Sequence, residues 1–214
     1  MPATNLPVRQ HRIPAIPVPL ETDSAIRPLS AAEANRAFDV LTLAFESDPP
    51  SRWIWQDRRQ YLEAFPRFAE AFGGVAADLG TAHCFGDFGG ISLWLPPGVF
   101  PDEEGLAAVI DQTLSGQRRE AMYSIIGQME LYHPVEPHWH LPLIGVDSEH
   151  QGRGIGSALL RNMLERCDQE GLPAYLEATS PRNILLYVRH GFEATGCIQV
   201  QDCPPIVPMI RQPR

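Results

Sequence analysis

Several features are scarce in this chain of 214 residues, and each absence narrows its function. No apolar run is long enough to cross a bilayer, so no membrane partner is expected. Met1 to Leu20 carries Arg9, His11 and Arg12 but no continuous apolar core after them, which does not read as a secretory leader. The four cysteines, Cys84, Cys167, Cys197 and Cys203, form no C-x-x-C pair. Zinc is therefore not indicated, and reduced thiols in a cytoplasmic protein are expected. Basic residues are outnumbered, 17 against 26 acidic ones, for a formal charge of −9. Sequence-independent nucleic-acid binding needs a basic footprint and is not expected. An acidic field favours cationic acceptors such as amines.

What is present is concentrated in one segment. An apolar stretch, Leu143-Ile144-Gly145-Val146, runs into a polar turn and then Gln151-Gly152-Arg153-Gly154-Ile155-Gly156-Ser157 before an amphipathic helix. Glycine has no Cβ, so the turn can bring several N–H groups to one ligand. The first N–H groups of a helix have no internal partner, and the helix dipole adds positive character there. Strand, glycine turn and helix start together suit a diphosphate. No lysine follows the glycines, which excludes a nucleotide P-loop. A dinucleotide fingerprint would need a third glycine where Ser157 stands, and it would sit late in the chain. A Q-x-x-G-x-G pattern on Gln151, Gly154 and Gly156 remains.

A second segment, Pro181-Arg182-Asn183-Ile184-Leu185-Leu186-Tyr187-Val188-Arg189-His190-Gly191-Phe192, follows one strand later. The pair resembles motifs A and B of the GCN5-related N-acetyltransferases, the GNAT family. The resemblance runs from about Trp139 to Phe192, and Leu176-Glu177-Ala178-Thr179 is worded most like bacterial antibiotic-acetylating members. It implies acetyl-CoA as acyl donor, with the pyrophosphate on residues 151–157. It also implies the pantetheine arm along backbone N–H groups of Ile144, Gly145 and Val146, with a side-chain contact from Asn183. Asn183 could equally cap its helix.

The order of elements outlines the fold. Residues 1–24 read as a proline-rich tail and 25–214 as one domain without repeats. A short strand at Ala25–Pro28 precedes a helix with Ser30–Glu33 capping-box spacing, ending near Glu46 before an Asp48-Pro49-Pro50 breaker. Asp57–Phe72 is a helix interrupted at Pro66. Strands at Ala76–Phe85 and Gly90–Leu95 form a hairpin, and two helices fill Glu103–Leu131. Trp139–Val146 is a strand locally broken at Pro142. A helix ending near Gly171 leads to a parallel strand, Ala174–Thr179, then a helix, Asn183–His190, and a closing hairpin. This is an α/β class with a mixed sheet. The resemblance sharpens it to the GNAT-like, acyl-CoA N-acyltransferase arrangement, in which a parallel strand pair splays to admit the cofactor and helices flank the sheet.

Acyl transfer to an amine needs a proton acceptor for the amine, polarisation of the carbonyl and a proton donor for the leaving thiolate. Tyr187 is the donor candidate, because a phenol keeps its proton at neutral pH. Its alternative is a tyrosine packed beside Leu186. Glu177 is the acceptor candidate, since a carboxylate in a core strand needs a partner or a task; its alternative is pairing with Arg182 or with a backbone donor. His138 and His140, on one face at i, i+2, are the rivals, with His140 preferred. His133, His138 and His140 with Glu130 and Glu136 match no standard metal pattern, and no metal is expected. Trp53, Trp55, Phe65, Phe68 and Trp94 line an acceptor pocket or belong to the core. The expected activity is acetyl transfer to a primary amine of a small molecule by direct attack in a ternary complex. The alternative is a CoA-binding module without catalysis. A homodimer is left open.

Overall fold

Local capping and turn chemistry explain most of the elements in the computed structural model, which describes residues 26–214. The expected tail, residues 1–24, lies outside them. Strand β1 (Ile26–Pro28) leads to helix α1 (Ala34–Ala44), and Ser30 donates from its N–H and hydroxyl to Glu33 in the anticipated box. Asp48-Pro49-Pro50 does not simply break the chain. Asp48 caps a new helix, α2 (Pro49–Ile54), whose first two positions are prolines; proline is well suited to a first turn, whose N–H groups lack partners. Helix α3 (Arg58–Gly73) runs through Pro66.

A second difference follows. The strand expected from Ala76 is replaced by helix α4 (Val75–Asp78) and a shorter strand, β2 (Ala82–Phe85). Helix α3 closes at Gly73 with Gly74 as its C-cap, but Gly74 keeps right-handed geometry and α4 starts directly after it; the chain turns at Gly80, where φ is +68°. Strand β3 (Gly90–Leu95), helices α5 (Glu103–Thr113) and α6 (Gly116–Tyr132), and strand β4 (Trp139–Val146) follow. Then come α7 (Ile155–Glu170), β5 (Ala174–Ala178), α8 (Pro181–Arg189), β6 (Glu193–Ala194) and β7 (Val207–Arg211).

The seven strands make one sheet in the order β1-β2-β3-β4-β5-β7-β6, and only β4 and β5 are parallel. Those two strands pair only at Trp139–Ala174 and His140–Tyr175. On its other side β4 stays paired to β3 as far as Val146. The β5-facing edge of β4 beyond His140 thus has no strand partner among the described residues, as the resemblance implied. The irregularity foreseen at Pro142 appears as a register shift opposite Leu93 and Leu95. One core cluster joins α1, α3 and the central strands; another joins α7, α8 and β5. Far from the gap, Arg211 donates to both oxygens of Asp168 at 2.8 Å and to the carbonyl of His190, tying β7 to α7 and α8.

Candidate functional site

Two constructions meet where β4 and β5 diverge. The first is made of backbone. Gly154 occupies the N-cap of α7 at φ +85° and supplies no side-chain cap. The amides of Ile155, Gly156 and Ser157 open the helix and have no intrahelical acceptor. A Cβ placed on Gly152 or Gly154 would meet nothing within 4 Å, so the space before the helix is free for a ligand. Gln151 pins the turn by donating to the Val146 carbonyl at 3.2 Å and accepting from Arg182 at 3.3 Å. Arg153 is exposed. The Ile155 side chain is buried beneath Gly90, so only its backbone faces the turn. Gly145 has a packing reason of its own, since a Cβ there would lie 2.8 Å from Ala44 and 3.0 Å from Leu41.

The second construction is a cavity of about 560 Å³ whose wall includes Ile144, Asn183, Tyr187, Glu177 and His140. Ser180 caps α8 by accepting from the Asn183 N–H, so the cap falls to Ser180 and the Asn183 side chain is left to the cavity. Gly191, at φ +89°, ends α8 and turns Phe192 back, where its ring meets Tyr187 edge-on at 5.9 Å. Tyr187 is 5% exposed. Burial first, and then the negative charge of Asp48, raise its phenol well above the ordinary value, with no hydrogen bond contributing. It holds its proton at neutral pH.

Glu177 does not pair with Arg182. Its Oε2 accepts from His140 Nε2–H at 3.1 Å, with both side chains 5% exposed. The other ring nitrogen, His140 Nδ1, is buried without a hydrogen-bond partner among the described residues. The two rival bases are therefore one unit, with the Nδ1 lone pair unused. His138 donates from Nδ1 to the Glu136 carbonyl at 2.7 Å, so its Nε2 accepts from His133 at 3.0 Å. Burial, reinforced by His140 and His138, pushes His133 down to about 4. Burial also lowers His138. These imidazoles are neutral near pH 7 and bond to each other rather than converging on one point.

Comparison with known proteins places this geometry. The acetyltransferase (GNAT) family profile matches residues 94–192, spanning both constructions. Over 207 residues the chain is 28% identical to an uncharacterised N-acetyltransferase of Schizosaccharomyces pombe, covering 88% of this chain and 83% of that one. Over residues 94–192 the chain is similar to the GNAT family. It is an acyltransferase. Its fold matches that of a Corynebacterium glutamicum protein described as histone acetyltransferase HPA2 and related acetyltransferase, with a TM-score of 0.62, 26% identity, and 89% and 96% of the two chains covered. It also matches the fold of arylalkylamine N-acetyltransferase 2 from Aedes aegypti, with a TM-score of 0.62, 13% identity, and 88% and 98% covered.

The aromatic residues of the chain divide. Trp55, Phe65 and Phe68 line the cavity. Trp53 lies outside it, with Arg118 stacked 3.7 Å over its ring and Asp202 accepting its indole N–H. Trp94 is buried in the core beside α7 and β5. One residue escaped sequence reasoning altogether. Asp48 is 8% exposed and lines the same cavity. Its Oδ2 accepts from Ser51 N–H and hydroxyl at 3.1 and 2.8 Å, and its Oδ1 accepts from the Thr179 hydroxyl. Burial raises its pKa, while the bonds from Thr179 and Ser51 pull it down. Its signal, an Asp before two prolines, also marks a helix cap, and nothing local sets it beside Thr179.

Proposed function

We propose that the chain is an acetyl-CoA-dependent N-acetyltransferase that acetylates a primary amine of a small molecule by direct attack in a ternary complex. What supports this is a single observation: Tyr187, Asn183, Glu177 and His140 line one cavity at the divergence of β4 and β5. Acetyl-CoA supplies the thioester. The open amides of residues 155–157 and the turn at 151–154 fit its diphosphate, and the free edge of β4 at Ile144–Val146 with Asn183 fits the pantetheine arm.

The amine must be neutral before its lone pair can attack the carbonyl carbon. The Glu177–His140 pair takes that proton: Glu177 Oε2 fixes the ring through Nε2–H and stabilises the imidazolium once Nδ1 is protonated. The carbonyl oxygen gains charge against backbone N–H groups of β4. As the C–S bond breaks, the sulfur takes the electron pair and the Tyr187 proton. The amide and free CoA result, and solvent returns the proton from the pair to Tyr187.

The test is CoA release across a panel of primary amines, with acetyl-CoA affinity measured in parallel. Release with any amine supports the proposal. Silence across the panel with tight acetyl-CoA binding would instead favour a binding module.

A further inference from the structure

The cavity holds two buried carboxylates in unlike states. Glu177 has an imidazole on it. Among the described residues Asp48 has only neutral donors, two from Ser51 and one from Thr179. Among the described residues the cavity wall carries no arginine, and the chain contains no lysine. An N-cap needs one oxygen at the helix end. The cap accounts for Oδ2 but not for Oδ1 being held at the end of β5 beside the Tyr187 helix. A carboxylate offers about four acceptor positions, and three are filled here. The fourth is on Oδ1, beside Thr179, in the cavity wall that also holds Tyr187. Burying an anion without a counter-ion is costly, and a ligand's ammonium would remove that cost.

The remaining wall is apolar. Trp55 and Phe68 meet at 5.7 Å, and Phe68 and Phe72 stack at 5.2 Å. Met122, Ile125 and Met129 of α6 face the same space. Glu103 and Glu130, also in the wall, are exposed and solvated, so they supply no buried second charge. A ligand with one ammonium and an apolar body is matched at both ends. A polyamine or a basic peptide would have to bury a further cation among aromatic rings.

Building on the acetyl-transfer reading above, we propose that the acceptor is a monoamine with an aromatic or bulky apolar body, and that Asp48 is the seat of its ammonium. The ammonium docks on Asp48 Oδ1 and passes its proton to the Glu177–His140 pair, and the ring of the acceptor lies along Trp55, Phe68 and Phe72. Asp48 is thus a substrate-binding residue, separate from the pair that removes the proton.

The probes are 2-phenylethylamine and agmatine, assayed for binding to the CoA-loaded protein and for turnover with acetyl-CoA. The proposal expects 2-phenylethylamine to bind more tightly and to show the higher kcat/KM. Asp48→Asn keeps a good helix cap and removes the charge. It should raise KM for 2-phenylethylamine by about 10-fold or more, the scale of a lost charge-assisted hydrogen bond, while acetyl-CoA affinity stays put. Thr179→Val, which leaves the cap untouched, should raise KM in the same direction by less. Agmatine bound as tightly as 2-phenylethylamine, or an unchanged KM in both variants, overturns the proposal and leaves N-acetylation standing. Binding of 2-phenylethylamine that depends on Asp48, without turnover of any amine, upholds the ammonium seat and overturns the transfer reaction.

Discussion

The two ends of the site are built from different material. The end that suits acetyl-CoA is backbone: a glycine turn, the open amides of α7 and the free edge of β4. The end that suits the acceptor is side chain: aromatic rings from α2 and α3, apolar residues of α6, and carboxylates from Asp48 and β5. Backbone donors are the same in every sequence that adopts the turn, so this end can serve one invariant ligand. Side-chain walls change with every substitution, so the other end can be specific. The same contrast explains the glycines. Gly152 and Gly154 are required by positive φ, whereas Gly145 is required by the closeness of α1.

The severest way to break this comparison is Gly154→Val. It forces a β-branched residue into a left-handed conformation and puts bulk where a diphosphate would lie. Acetyl-CoA binding, read by calorimetry, should vanish while circular dichroism still reports a folded chain. Unchanged affinity would remove the diphosphate from this turn. Gly156→Ala sharpens the point. Its Cβ would make ordinary contacts, 3.6 Å from Leu186 and 3.8 Å from Val146, so the protein accepts it, and a weakened affinity would reflect the ligand side.

Tyr187→Phe should lower turnover by about 10²–10⁴-fold, the usual worth of general acid catalysis, with little change in acetyl-CoA affinity. Wild-type turnover in that variant would reject the proton donor. Glu177→Gln leaves His140 without its carboxylate. Turnover should fall by less, about 10²-fold, and recover in part as pH rises and solvent deprotonates the amine. His140→Gln should give the same profile, because the two act as one unit. Different pH profiles in the two variants would split the pair.

Outside both ends, Asp168→Ala strands the buried Arg211 guanidinium. A broken buried pair costs about 3–5 kcal/mol, and the Asp168 side chain is 26% exposed, so about 2–3 kcal/mol is expected in denaturant unfolding. Acetyl-CoA affinity of the folded protein should not move. The smallest effect is on acid stability. His133 titrates near 4 in the folded chain against an ordinary 6.5, so the unfolded state takes up a proton first as pH falls. Stability is therefore lost on going from pH 6.5 towards 4, and His133→Gln should make that slope shallower. An identical slope would mean that other groups set the acid limb.

Much of the fold could be read locally. Trp139–Val146 is a strand over the expected residues, and α7 and β5 fall within a residue or two of their expected ends. The failures have local causes as well. Two prolines at a helix start look like a breaker until an Asp is seen to cap them, and the short helix α4 took the first residues of the strand expected from Ala76. The candidate base shows the limit of such reading. Glu177 stood out because it is a charge in an apolar strand, but its partner lies 37 residues away across the sheet, and Arg182, nearer in sequence, bonds to Gln151 instead.

The glycine turn, the helix it opens and the family they mark were therefore legible in the amino-acid order, because φ preference, capping and open amides depend on a few consecutive residues. The acceptor cavity was not. Thr179 and Asp48 are 131 positions apart, and Phe68 and Phe72 reach the same space from a third element, α3. Side chains of separate helices and strands meet only when the sheet and its covering layers pack, and packing is a property of the whole chain.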